Sequence, residues 1–124
     1  MRTKPIGGFE LWSWVFMRVS GVLLVGLALG HLWIMHVIHT VDQIDYNFVA
    51  ERFGASFSLW RWYDLALLGL AMLHGLNGAR VLIDDYIHAR VWHRVAMAAL
   101  TLIGGAFLVA GAVVLLTFQP QAPR

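Results

Sequence analysis

Leu73-His74-Gly75-Leu76-Asn77-Gly78-Ala79-Arg80-Val81-Leu82-Ile83-Asp84-Asp85-Tyr86-Ile87-His88 begins inside an apolar segment and ends in a charged cluster. At about 100° per residue, Asp85 returns to within about 20° of the helix face that carries His74, roughly 16 Å further along the axis. One face therefore carries an imidazole deep in the segment and a carboxylate at its end. Gly78 lies one turn beyond His74 and about 40° round, and it removes side-chain bulk where a planar group bound to that imidazole would pass. A helix that ligates a haem iron would be built in this way.

The uncharged core around this histidine, residues 65–79, is too short to cross a bilayer alone, so the span is predicted to run over residues 60–83. Asp64 and Arg80 then sit near its two ends, where their side chains reach water or headgroups. Working outward, residues 19–38 carry no formal charge and complete a first span over 15–38, and residues 95–117 form a third. The first span contains Gly26 and Gly30, a pair spaced for close helix approach or scattered by chance. The third contains Gly104, Gly105, Gly111, Ala106 and Ala110, which suit close packing.

Between the first two spans the apolar run is broken by Asp42, Asp45, Glu51 and Arg52. Val41, Ile44, Phe48, Val49 and Phe53 recur there at helical spacing. They predict a short amphipathic helix, either lying at the membrane surface or connecting the spans and packed on its own complex. Residues 84–94 read as a polar turn. Residues 1–14, with Arg2, Lys4, Phe9, Trp12 and Trp14, read as a tail leading into an interfacial aromatic anchor, and residues 119–124, with two prolines, as a frayed end.

Composition agrees with this layout. With 124 residues, 60% of them hydrophobic, and a mean hydropathy of +0.70, the chain is too apolar for an ordinary soluble domain and too short for two domains. The expected fold is an all-α integral membrane protein, one domain over residues 1–124, with three transmembrane helices and a short interfacial helix between the first and second. The absence of cysteine excludes disulfides, iron–sulfur ligation and thiol chemistry from this chain. A net charge of +2 spread along the sequence gives no basis for nucleic acid binding. The first apolar run lacks a small-residue cleavage site after a short core and is expected to be retained. Three spans put the termini on opposite sides. Arg2, Lys4, Arg18, Arg80, Arg90 and Arg94 on one side against Arg52, Arg61 and Arg124 on the other predict a cytoplasmic N-terminus and an external C-terminus.

Ionisable side chains inside a bilayer cost several kcal/mol unless paired, which makes each a functional candidate. His74 has two readings, an iron ligand or a neutral ring hydrogen-bonded to a neighbouring helix. His31 is the other deep histidine; it lies roughly 10 Å from His74 in depth, so the two do not clamp one iron, and each would need a partner on another subunit. Arg18 either snorkels to phosphates or joins Asp85 and Tyr86 in a polar pocket suited to a quinone. There Tyr86 would donate a hydrogen bond, Arg18 would hold Asp85 ionised, and Ser20 would add a hydroxyl.

The pattern His74-x-x-x-Gly78-x-Arg80-x-x-x-Asp84-Asp85-Tyr86-x-His88, preceded by Arg18-Val19-Ser20-Gly21, resembles the hydrophobic membrane-anchor subunits of succinate:quinone oxidoreductase. The likeness extends from Trp12 to about Arg94. It implies that His74 is an axial ligand of haem b and that Asp85 and Tyr86 sit at a quinone site beside the iron–sulfur subunit. The Asp-Tyr ending favours the D-type anchor. The C type carries a serine four residues before the arginine, and Trp14 stands there instead. His31 lies outside the single-haem pattern and resembles the ligands of two-haem members, where first and second helices serve different haems.

The resemblance implies an anchor in the bacterial cytoplasmic membrane that docks a flavoprotein and an iron–sulfur subunit, shares one or two haems with a sister cytochrome b anchor, and helps form the quinone-reduction site. With no flavin or iron–sulfur ligand set, this chain is not catalytic alone. The alternatives are a C-type cytochrome b anchor of the same or a fumarate reductase complex, and a non-redox scaffold or transporter subunit with structural histidines.

Overall fold

The computed structural model describes residues 8–54 and 58–120. Arg2, Lys4 and most of the C-terminal tail named above lie outside them. Helix α1 runs over Phe9–Trp33 and continues into a widened π-helical turn, Ile34–Ile38. A single 3-10 turn, Val41–Gln43, precedes α2, Tyr46–Phe53; α3 is Leu59–Tyr86 and α4 is Arg90–Thr117. No strand occurs among the described residues. Phe9–Ile38, Leu59–Tyr86 and Arg90–Thr117 are each long and apolar enough to cross a membrane. At 1.5 Å per residue α3 and α4 are about 42 Å long, so their ends extend past a hydrocarbon layer of about 30 Å.

The helices reach further than hydropathy alone indicates. α1 takes in Phe9 to Trp14, starting directly after Gly8, whose φ of 104° only glycine adopts readily. The polar turn shrinks to Ile87, His88 and Ala89. Charged residues stay helical at both sides of it because they satisfy one another. Asp84 accepts from Arg80 at 3.2 Å one turn back and meets His93 at 2.8 Å across the turn. The short amphipathic helix exists but starts later than the apolar spacing suggests. Asp45 caps it, accepting from the Phe48 backbone N–H at 2.8 Å. Val41 and Ile44 are thus left outside, and Phe48, Val49 and Phe53 are half-buried within it, as are Ala50 and Arg52.

Helix α3 is the hub, with α1, α2 and α4 each packed against it. No large hydrophobic residue among those described is buried; Ser20, Ser58 and Gly104 are. Many large apolar side chains are therefore exposed, and close approach between helices rests on small and polar residues. On one side of α3, a methyl group at Gly104 would overlap Leu76, and one at Gly111 would come within 2.8 Å of Leu68 Cδ2. Gly105, by contrast, faces open space. On the other side, Ser13 meets Asn77, Ser20 meets His74, and the Tyr63 hydroxyl donates to the Leu27 carbonyl. Ser13, Ser20 and Leu27 are spaced at seven, so one stripe of α1 supplies this seam. Gly30 belongs to it, because its missing Cβ would lie 3.0 Å from the Tyr63 hydroxyl, whereas Gly26 touches nothing.

At the α2 end Arg61 donates to the carbonyls of Phe53, Leu116 and Phe118, satisfying groups that the ends of α2 and α4 leave open. Arg52 stacks 3.7 Å above the Trp60 ring. Burial pulls its guanidinium below the ordinary value while the Asp64 charge pushes the other way. It stays a cation, since arginine deprotonates only far above neutral pH.

If the α3–α4 contact is as tight as this, Gly104→Ala should destabilise the folded protein by about 1–3 kcal/mol through overpacking against Leu76. Gly105→Ala, one residue away, should change stability by less than about 1 kcal/mol. Thermal unfolding of the two variants in the same detergent checks the contrast.

Candidate functional site

The polar contacts concentrate between α1 and α3, in the half of the protein that ends at the Ile87–Ala89 turn. Ser20 is 1% exposed. Its Oγ lies 2.6 Å from the Phe16 carbonyl one turn back and 2.8 Å from Nδ1 of His74. The ring also lies beside Gly21, where a Cβ would make van der Waals contact with His74 Cε1 at 3.4 Å. Among the described residues Nε2 of His74 has no hydrogen-bond partner. The helix surface beside the ring is smooth, because a Cβ at Gly75 would meet nothing within 4 Å and one at Gly78 would meet only Met17 Cε at 3.7 Å. An imidazole nitrogen without a partner among the described residues, on a stretch of helix kept narrow by Gly75 and Gly78, fits ligation of a haem iron. Among the described residues no group of three or more His, Cys, Asp or Glu side chains is placed to hold a metal ion.

Nearer the turn a cleft of about 600 Å³ opens between the same two helices. Leu11, Trp14, Met17 and Val81 form its apolar walls, and Glu10, Ser13, Asn77 and Arg80 its polar ones. Arg80 organises it. Its guanidinium lies 3.3 and 3.4 Å from the two Glu10 oxygens, 3.4 Å from Ser13 Oγ and 3.2 Å from Asp84, while its Nε donates to Asn77 Oδ1 at 3.2 Å. That last bond fixes the amide, because an arginine Nε can only donate and must face the oxygen. Ser13 also donates to Oδ1, at 3.0 Å. The Asn77 Nδ2 group is then turned away, buried and without a partner among the described residues. A buried donor left unpaired costs about 1–3 kcal/mol. With Glu10 and Asp84 already balancing Arg80, the cleft suits a neutral acceptor better than an anion.

Of the residues singled out in the sequence, His74 and Ser20 come together, and Arg18, Asp85 and Tyr86 do not. Arg18 is exposed and stacks 4.2 Å above the Trp14 ring at the edge of the cleft. Tyr86, the last residue of α3, is 78% exposed, and Asp85 is exposed beside it. No hydrogen bond joins Arg18 to either among the described residues. Ser20 points at His74 rather than toward Asp85 and Tyr86. His31 lies in the opposite half, its Nδ1 3.5 Å from Asp64 Oδ1 and its ring parallel to Tyr63 with centroids 6.5 Å apart. Glu10, Ser13 and Asn77 escaped the reading of the sequence. One signal was there for Ser13, which precedes Ser20 by seven residues and so shares its face of α1.

These features define a three-span membrane protein whose first two spanning helices bracket a single mid-helix histidine and an adjoining polar cleft. The profile of the succinate dehydrogenase/fumarate reductase transmembrane subunit family matches residues 4–117. The chain belongs to that family. It is 32% identical over 75 residues to the succinate dehydrogenase hydrophobic membrane anchor subunit of Halobacterium salinarum, covering 60% of this chain and 56% of that one. The proteins of the same description from Rickettsia prowazekii and Rickettsia typhi are each 31% identical over 75 residues, with the same coverage. The chain thus matches about half the length of these curated relatives.

Proposed function

We propose that this chain is a membrane anchor of a succinate:quinone oxidoreductase. In this reading it holds haem b through His74, contributes to the quinone-reduction site, and pairs with a sister cytochrome b anchor beneath an iron–sulfur and a flavoprotein subunit. The observation that carries the reading is His74 itself, a histidine midway along a spanning helix, held on its Nδ1 side by α1 and without a hydrogen-bond partner at Nε2 among the described residues. A haem bound there supplies a one-electron carrier inside the hydrocarbon layer. What the chain contributes is an oriented ligand, a helix kept narrow beside it by Gly75 and Gly78, and exclusion of water by the α1–α3 seam.

Quinone reduction adds two electrons and two protons, turning both carbonyl oxygens into hydroxyls. The electrons come from the soluble subunits. The chain's part is to donate hydrogen bonds to a carbonyl and to supply carboxylates near water. The unpaired Asn77 amide supports a headgroup in the α1–α3 cleft, with Glu10 and Asp84 nearby and Arg18 over Trp14 at its edge. Tyr86 and Asp85, exposed at the end of α3, are free to complete the site against a docked subunit. Among the described residues Arg18, Arg80, Arg90 and Arg94 lie toward this end and Arg52 and Arg61 toward the other. That bias supports a cytoplasmic turn, with the N-terminus inside a bacterial inner membrane and the C-terminus outside.

A second haem on His31 is favoured by one observation. Asp64 stands behind Nδ1 at 3.5 Å, as carboxylates do behind ligating histidines. Haem quantitation separates the cases: two haems per complex falling to one in His31→Leu support it, and one haem in both proteins assigns the His31–Asp64 pair to helix packing.

Two further measurements test the main reading. His74→Ala should abolish or strongly reduce the low-spin haem b signal while succinate oxidation with an artificial dye continues; an unchanged spectrum removes His74 as the ligand. Tyr86→Phe should lower succinate:quinone activity roughly 30-fold, from about 2 kcal/mol of lost transition-state hydrogen bonding, with haem content kept. Parental activity with both quinone and dye would make Tyr86 an interfacial anchor only.

A further inference from the structure

We infer that Ser20 is a positioning residue that fixes the tautomer of His74, committing the ring's proton to Nδ1 and leaving the lone pair on Nε2 for a metal. The inference rests on the haem reading above and extends it to a residue on a different helix.

A serine hydroxyl has one proton and two lone pairs. The Ser20 Oγ has two close neighbours, the Phe16 carbonyl oxygen at 2.6 Å and Nδ1 of His74 at 2.8 Å. The carbonyl can only accept, and two oxygens 2.6 Å apart with no proton between them repel, so the hydroxyl proton belongs on the Phe16 side. Other hydroxyls in this protein behave alike. Thr101 donates to the Met97 carbonyl at 2.8 Å and Thr117 to the Val113 carbonyl at 2.7 Å, each one turn back. With its proton used in this way, Ser20 can offer His74 only a lone pair. Nδ1 must therefore be the donor, which leaves Nε2 unprotonated.

Burial makes the arrangement exclusive. Ser20 is 1% exposed, so water does not compete for its hydroxyl. The contact has the form of a ligating histidine whose second nitrogen donates to an outer partner, which orients the ring and raises its basicity as a ligand. Here the partner is a hydroxyl on α1. The seam that packs two spans together thus also sets the electronic state of the ring.

The test compares Ser20→Ala and Ser20→Thr in the purified complex, with haem content normalised to flavin. Loss of such an outer partner typically weakens metal binding by about 10- to 100-fold, so the alanine variant should lose haem more readily on washing. Its remaining haem should show altered low-spin g-values and a more positive midpoint potential, while Ser20→Thr, which restores a hydroxyl, should read as the parent. Should the alanine chain fail to accumulate, Ser20→Cys keeps the volume and weakens the acceptor, and the same shifts are expected. Parental g-values, potential and haem retention in the variant lacking the hydroxyl would overturn the role of Ser20 and leave the haem reading standing. Failure of that reading would show separately, as an unchanged haem in His74→Ala.

Discussion

Inside a hydrocarbon layer a polar side chain has no water to turn to, so it must find its partner within the protein. α3 carries most of the polar groups of the spanning region, and α1 answers them. Asn77 meets Ser13, His74 meets Ser20, Tyr63 meets the Leu27 carbonyl, and Asp64 meets His31. Along α1 the first three partners fall at intervals of seven residues, and along α3 they run in the opposite order over the same length. Two antiparallel helices are thereby fixed in depth and in rotation, and the contact between α1 and α3 follows from that register.

The opposite face of α3 is built on another principle. Leu76 and Leu68 fit where Gly104 and Gly111 leave gaps in α4, so the helices approach by shape. Apolar side chains gain little from facing each other rather than lipid tails, which makes close van der Waals contact the available source of affinity. The two faces of α3 have different consequences. A packed glycine seam can be filled or emptied with an effect on stability alone, whereas the polar seam decides which atoms a ring or an amide can offer to something outside the chain.

Many large apolar side chains are exposed, and α1 and α4 both pack on α3. Such a surface suits a protein that meets both lipid and other subunits. In the polar cleft beside His74 Arg80 is engaged, Asn77 Nδ2 has no partner among the described residues, and Tyr86 is exposed at the last residue of α3.

The sequence by itself determined the number of spans, their approximate limits, the deep histidine with its glycine one turn away, and the family. Hydropathy and helical spacing are properties of a continuous stretch, and they survive whatever the neighbouring helices do. It misplaced the start of the amphipathic helix, because side-chain capping by Asp45 overrides an apolar period, and it overextended the polar turn, because Asp84 pairs across it. It also grouped Arg18, Ser20, Asp85 and Tyr86 by depth alone. Only the tertiary structure decided that Ser20 belongs to His74 and that Ser13 and Asn77 line a cleft with Arg80. The reason is rotational: depth follows from counting residues along one helix, whereas the side chains that touch depend on how each helix is turned about its axis, and packing against its neighbours sets that angle.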